Sequence, residues 1–182
     1  HLQRPDPARS YRPNHLQRLR EAGLTVHGVG KISDIFAGCD VDTSRPTESN
    51  AQGIAATAEL MRSAADGSLV FTNLVETDML WGHRNDPRGF ADALEEFDAG
   101  LPGILAAMRH GDLLVLTSDH GCDPTTASTD HSREHGLLVA HVPGAPLVGR
   151  RHDGDTFADV GATVMQVLTG AVPADLPGTS VV

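Results

Sequence analysis

The sequence contains only two cysteines, Cys39 and Cys122, in 182 residues. Two thiols so far apart make no disulfide framework, which excludes a cross-linked secreted scaffold and fits a reducing compartment. Long apolar runs are also missing. No stretch approaches the roughly 18 consecutive apolar residues of a spanning helix, so no membrane partner is expected. No signal-peptide pattern opens the chain, and a cytoplasmic location is the expectation. Positive charge is scarce: 14 Lys and Arg stand against 24 Asp and Glu, a formal net charge of -10. That balance argues against nucleic acid as a partner. It also poses a problem for an anionic substrate, which needs metal ions or local Lys and Arg to offset the repulsion. The first residue is His1, and no strand or glycine-rich loop precedes the first predicted helix. The expectation is therefore a C-terminal piece of a longer protein, with enough residues for a real core.

What the chain does have is a pair of apolar strands that run into metal-type ligands. Asp112-Leu-Leu-Val-Leu-Thr117 is short, apolar and preceded by Gly111, the pattern of a strand buried on both faces. It opens into Ser118-Asp119-His120-Gly121-Cys122-Asp123-Pro124, followed by Thr129-Asp130-His131. Leu69-Val-Phe-Thr-Asn-Leu-Val75 is a second such strand, and it leads to Asp78 and His83. In open α/β sheets, ligand sites lie just beyond the carboxyl ends of strands. Two strands ending in Asp/His pairs, with a third His close by, outline a dinuclear metal site.

Taken in order, residues 1–13 carry Arg4, Arg9, Arg12 and three prolines and read as irregular chain. Asn14 caps a helix through about Ala22, stopped by Gly23. Leu24–Val29 is a strand, and Gly30-Lys31 follows it. The spacing of a phosphate-binding loop is absent there, so Lys31 reads either as a lone phosphate contact or as a solvated loop lysine. Residues 39–48 read as a surface loop. Ser49 or Asn50 starts a helix through about Ala65. Asp86-Pro87 begins a helix to about Ala99, with a second from Leu101 to His110. Leu137–His141 is a strand, 143–153 a loop with Arg150, Arg151 and His152 exposed, and Asp155 or Thr156 caps a last helix to about Leu168. Strands alternating with helices predict an α/β fold with a mainly parallel sheet flanked by helices.

The candidate ligands have chemistry in common and awkward spacings. Asp78 and His83 are five apart, which does not put them on one α-helical face. Asp119 and His120 are adjacent, so on extended chain they point opposite ways. Both can be ligands only if the backbone turns at that point, which Gly121 permits. Oxygen and imidazole donors together suit zinc, manganese or iron rather than calcium. Two such ions would clamp a phosphoryl group and neutralise its charge. Each residue alone has an ordinary reading as a cap or a surface hydrogen bond; the joint pattern is what points to metal. Asp123-Pro124 is a natural turn, and Asp130 is placed to orient His131. Cys122 as a soft ligand is open but not needed, and His135 reads as structural.

At these residues the chain resembles the phosphopentomutases, manganese-dependent members of the alkaline-phosphatase superfamily. The matching stretches are Val29-Gly-Lys-Ile-Ser-Asp-Ile-Phe36, Phe71–Val75 with Asp78 and Gly82-His83-Arg84, Ala93–Asp98, Ser118–Gly121 with Asp123-Pro-Thr125, and Thr129–Glu134. They cover most of residues 28–135 in order. The departures are Cys122, where the family has Asn, and His135-Gly136, where it has an apolar residue and Pro.

The resemblance implies an alkaline-phosphatase-like core lacking its N-terminal part and most of its cap domain. Residues 1–13 would be the end of the cap or a linker, and 14–182 the metal-binding core. It implies two Mn2+ ions in the complete site: Asp78, His83 and His131 on one, Asp119 and His120 on the other. Lys31 would bind substrate phosphate, and Arg4 would be a cap-domain phosphate contact. The nucleophile, a threonine that carries the phosphoryl group, is expected upstream of His1. The implied partners are ribose and deoxyribose phosphates, interconverted between 1- and 5-phosphate in nucleoside catabolism, and the 182 residues alone would be inactive. Rival readings are another phosphomutase or phosphatase of the superfamily, such as a cofactor-independent phosphoglycerate mutase, and a non-catalytic metal-binding domain.

Overall fold

Helices and strands alternate along most of the chain. In a computed structural model, which describes residues 13–145 and 153–182, the order is α1 (His15–Glu21), β1 (Val26–Val29), α2 (Ile32–Ile35), β2 (Thr43–Arg45), α3 (Asn50–Ser63) and β3 (Leu69–Thr72). A π-helical turn (Thr77–Gly82) follows, then α4 (Pro87–Leu105), β4 (Leu114–Thr117), β5 (Leu138–His141) and α5 (Ala158–Thr169). The described residues form two compact units. The first holds the residues up to Pro46, Ala64–Thr72 and those from 153 onward; the second holds Thr47–Ser63 and the described residues from Asn73 to 145. The expected boundary at residue 13 falls at the edge of the described residues. Arg4, Arg150, Arg151 and His152 lie outside them.

The first unit is a parallel sheet with helices packed on it. β1 pairs with β2 and β3, both parallel, in the order β2-β1-β3. Register runs His27 to Thr43 on one side and His27 to Val70 on the other. Asn14 caps α1, its side chain accepting the Gln17 N–H. Leu16 and Leu19 of α1, Val26 of β1 and Met165 of α5 are buried together, with Leu24, Phe36, Val41, Leu69, Val164 and Leu168 against them. Apolar positions three and four apart on each helix make that face. α5 begins two residues beyond Thr156, whose hydroxyl accepts the Ala158 N–H.

β2 corrects the expectation of a loop over 39–48. Its Thr43 and Ser44 are exposed and polar, so no alternation of apolar residues marks it. It joins the sheet through backbone hydrogen bonds to β1, which any side chain permits.

The second unit pairs α3 with α4 and carries an antiparallel ladder. Ala58 of α3 is buried with Ile104 of α4 and Ala107 beyond it, packed by Ile54, Met61, Phe97, Leu101 and Leu114. The Asp86 side chain caps α4 by accepting the Gly89 N–H, with Pro87 at the first helical position. α4 is one helix where two were expected. Pro102 lies inside its last turn. The cost of the missing N–H is carried by the continuous face of Phe97, Leu101 and Ile104 on α3.

β4 pairs antiparallel with β5, Leu114 opposite His141 and Thr117 opposite Leu138. This pair is the antiparallel part of a fold expected to be mainly parallel. The connection from 118 to 137 carries no helix, and a parallel partner needs a crossover, usually helical. β4 is also half-buried rather than buried on both faces, as is β3, and Phe71 is 36% exposed.

Candidate metal centre

All five candidate ligands lie in the second unit: Asp78 on the π-helical turn, His83 at its C-cap, and Asp119, His120 and His131 on the loop after β4. The π-helical turn resolves the five-residue spacing. Its hydrogen bonds span five residues: His83 N–H donates to the Asp78 carbonyl at 3.0 Å, and Asp86 N–H to the Trp81 carbonyl at 3.0 Å. An α-helix turns residue 83 away from residue 78, whereas a π turn brings the two to one side. The Nε2 of His83 accordingly lies 3.3 Å from Asp78 Oδ2.

Asp78 is the centre of the group. Its Oδ1 is 3.7 Å from His131 Nε2 and 3.9 Å from His120 Nε2. One ligand atom each from Asp78, His83 and His131 lie within 4.8 Å of one another. These separations exceed an ordinary hydrogen bond of about 2.7–3.2 Å. They approach the roughly 3.0–3.5 Å between neighbouring donors that share an ion at bonds of about 2.1 Å. Asp78 Oδ1 is buried and accepts no hydrogen bond. A buried carboxylate oxygen without a partner is costly, and a cation between the donors removes that cost. The residues therefore fit a divalent metal.

Two of the three imidazoles, His83 and His120, are held with Nε2 free to meet a metal. His83 Nδ1 is 2.6 Å from the Thr129 carbonyl oxygen. A carbonyl only accepts, so Nδ1 carries the proton and Nε2 presents its lone pair. His120 Nδ1 meets the Gly121 carbonyl at 3.1 Å, with the same consequence. The His120 and His131 rings stack with centroids 3.5 Å apart, and the His83 and His131 centroids are 5.0 Å apart. The Thr129 carbonyl, with Asp78 and Asp130 adding charge, raises the pKa of His83 above its ordinary value.

Asp119 and His120 lie side by side, His120 Nε2 3.5 Å from Asp119 Oδ1. The Asp119 side chain is 78% exposed. Gly121 matters here for close approach. It bridges to Ser132, and a β-carbon on it would sit 2.3 Å from the Glu134 carbonyl oxygen. The loop thus folds back on itself and carries His131 toward Asp78. Asp130 accepts the backbone N–H of His131 at 2.8 Å, so it holds the chain there rather than the ring. Asp123 forms the expected turn, its Oδ1 accepting from the Thr125 N–H and hydroxyl.

Burial raises the pKa of the Cys122 thiol, with Asp78, Asp123 and Glu134 adding to it. Lys31 is exposed in the first unit, at the start of α2 just past the carboxyl end of β1. The sequence reading took Asn50 only as a possible helix start and did not single out Glu76; the two bond to each other ahead of Asp78.

Sequence comparisons place the chain among metalloenzymes. The profile of the metalloenzyme superfamily matches residues 9–171. The chain is similar to a phosphopentomutase of Anaeromyxobacter dehalogenans, 54% identical over 167 residues, covering 89% of this chain and 40% of that protein. A phosphopentomutase of Deinococcus radiodurans is 51% identical over 167 residues, covering 91% and 42%. One from Caldanaerobacter subterraneus is 46% identical over 155 residues, covering 85% and 39%. The chain spans about 40% of the length of these relatives.

Proposed function

Because this chain belongs to the metalloenzyme superfamily, we propose that the full-length protein is a phosphopentomutase. It would be an isomerase moving a phosphoryl group between the 1- and 5-positions of ribose or deoxyribose. The observation that carries the reading is the meeting of Asp78, His83 and His131 at one point, in a chain about half identical to phosphopentomutases. A cytoplasmic location and a part in nucleoside catabolism go with it.

Under this reading Asp78, His83 and His131 hold one ion, and Asp119 and His120 contribute to a second. Carboxylate and imidazole donors without thiolate suit Mn2+. Bound ions supply the positive charge that orients and neutralises a phosphoryl group, which a chain of formal net charge -10 needs. The chain's own residues prepare the site. The Thr129 and Gly121 carbonyls hold His83 and His120 with Nε2 open. Lys31, past the carboxyl end of β1, is assigned to substrate phosphate, and Arg4 to a second phosphate contact. The reading puts the threonine nucleophile outside these 182 residues, so on their own they bind metal and turn nothing over.

The test is phosphorus NMR of the full-length protein with ribose 1-phosphate and Mn2+. Ribose 5-phosphate is the expected product, and His83→Ala abolishes its formation. Release of inorganic phosphate would indicate a phosphatase of the superfamily. Bound Mn2+ with no turnover would indicate a metal-binding domain. Either result overturns the proposal.

A further inference from the structure

Asn50 is a buried polar residue that the site chemistry does not use. It is 2% exposed, at the first turn of α3. Buried amides are kept only with partners, and Asn50 finds them in one place. Its Oδ1 accepts the Glu76 N–H at 3.2 Å, and its Nδ2 donates to Thr77 Oγ1 at 3.4 Å. In return its own backbone N–H donates to Glu76 Oε2 at 2.5 Å. The bonds run in both directions between α3 and the two residues immediately before Asp78.

The end of α3 makes this clamp strong. The first N–H groups of a helix lack intrahelical acceptors and carry partial positive charge. Ser49 Oγ takes the Gln52 N–H at 3.2 Å, and the Glu76 carboxylate takes that of Asn50. A negative group at this end is favoured, and a charge-assisted bond is about twice as strong as a neutral one.

Asp78 needs such support. His83 is held through its ring by Thr129, His120 by Gly121, and His131 through its backbone by Asp130. Asp78 Oδ1 accepts no hydrogen bond. Its position is therefore set by the backbone of the π-helical turn, and Asn50 and Glu76 anchor the entry to that turn. We propose that Asn50 and Glu76 are positioning residues for the metal centre, a reciprocal clamp that sets metal affinity through the placement of Asp78. The inference rests on the reading of Asp78, His83 and His131 as ligands.

The experiment is Mn2+ titration of the full-length protein by calorimetry, with amide exchange of residues 77–83 in the metal-free state. Loss of an outer partner typically costs about 10–100-fold in metal affinity. Asn50→Ala is expected to weaken Mn2+ binding by about tenfold or more and to speed exchange at 77–83. Glu76→Gln, which keeps a side-chain oxygen for the Asn50 N–H, is the milder variant, with an expected loss of about threefold or more. Asn50→Asp combined with Glu76→Gln moves the charge across the clamp but keeps every acceptor, and is expected to recover part of the affinity. Leu19→Val, a destabilising change in the other unit, leaves affinity within about twofold. A folded Asn50→Ala, or failing that Glu76→Gln, that binds Mn2+ as the parent does would overturn the clamp while His83→Ala still abolishes binding. A parent that binds no Mn2+, or His83→Ala and His131→Ala variants that bind normally, would instead overturn the ligand reading and the clamp with it.

Discussion

A β-carbon at Gly82 would lie 2.6 Å from the Cys122 sulfur and 3.4 Å from Asp78 Oδ1. The smallest residue is therefore required where the π-helical turn passes the loop after β4. Gly82→Ala should push the turn away from Cys122 and weaken Mn2+ binding by about tenfold, a displacement of ligands comparable to losing an outer partner. Adding Cys122→Ala should recover much of it; no recovery in the double variant would show that the contact is not the cause. A second prediction at this scale concerns protons. The Thr129 carbonyl and Asp78 raise the pKa of His83, so the metal-free folded protein holds that proton to higher pH than the unfolded chain does. The resulting stability is present below the unfolded value of about 6.5 and is lost as pH rises through the raised one. Metal needs the neutral ring. Mn2+ affinity should therefore begin to fall, on acidification, above the pH at which an ordinary histidine protonates; calorimetric titration across that range measures it. The residue types that make 78, 83, 119, 120 and 131 candidate ligands were readable in the sequence. The tautomers were not, because the groups that set them are backbone carbonyls, which every residue has.

At the scale of elements, strongly patterned segments were legible and the exceptions have physical causes. α1, with Asn14 before it and leucines at 16 and 19, forms as predicted. β2 was missed because Thr43 and Ser44 are exposed and polar, so no apolar alternation marks it, and its pairing with β1 rests on the backbone ladder and the His27–Thr43 side-chain bond. The π-helical turn was missed because a five-residue hydrogen bond leaves no distinct sequence period; the spacing of Asp78 and His83 was its one trace. Pro102 suggested two helices, yet packing on α3 holds one. Burial makes a prediction here. Leu19 is fully buried among Leu16, Val26 and Met165. Leu19→Ala removes methyl groups and leaves a cavity, at a cost of about 2–5 kcal/mol. Denaturant unfolding reads this directly, and a loss under about 1 kcal/mol would mean that the site collapses to fill the space.

On the scale of the whole chain, the candidate site belongs to one of the two units, since its five residues come from the π-helical turn, its C-cap and the loop after β4. Thr129, Asp130 and His131 of that loop are exposed, and its fixed points include the Gly121–Ser132 bridge, the His83–Thr129 bond and the bond that the Asn85 amide donates to the Thr126 carbonyl. Bound metal would tie it to the π-helical turn through Asp78 and the imidazoles. Binding to the folded state alone stabilises by about 2.7 kcal/mol at a ligand concentration 100 times the dissociation constant. The protection should not be spread evenly, because local opening costs least where few contacts hold the chain. Mn2+ should slow amide exchange most at residues 77–83 and 119–134, and least at α1 and α5, whose core of Leu16, Leu19 and Met165 forms without any candidate ligand. Exchange measured with Mn2+ and with a chelator tests this. Uniform protection across both units would mean that metal acts on global unfolding alone, and protection confined to α1 and α5 would place the bound ion elsewhere than at Asp78.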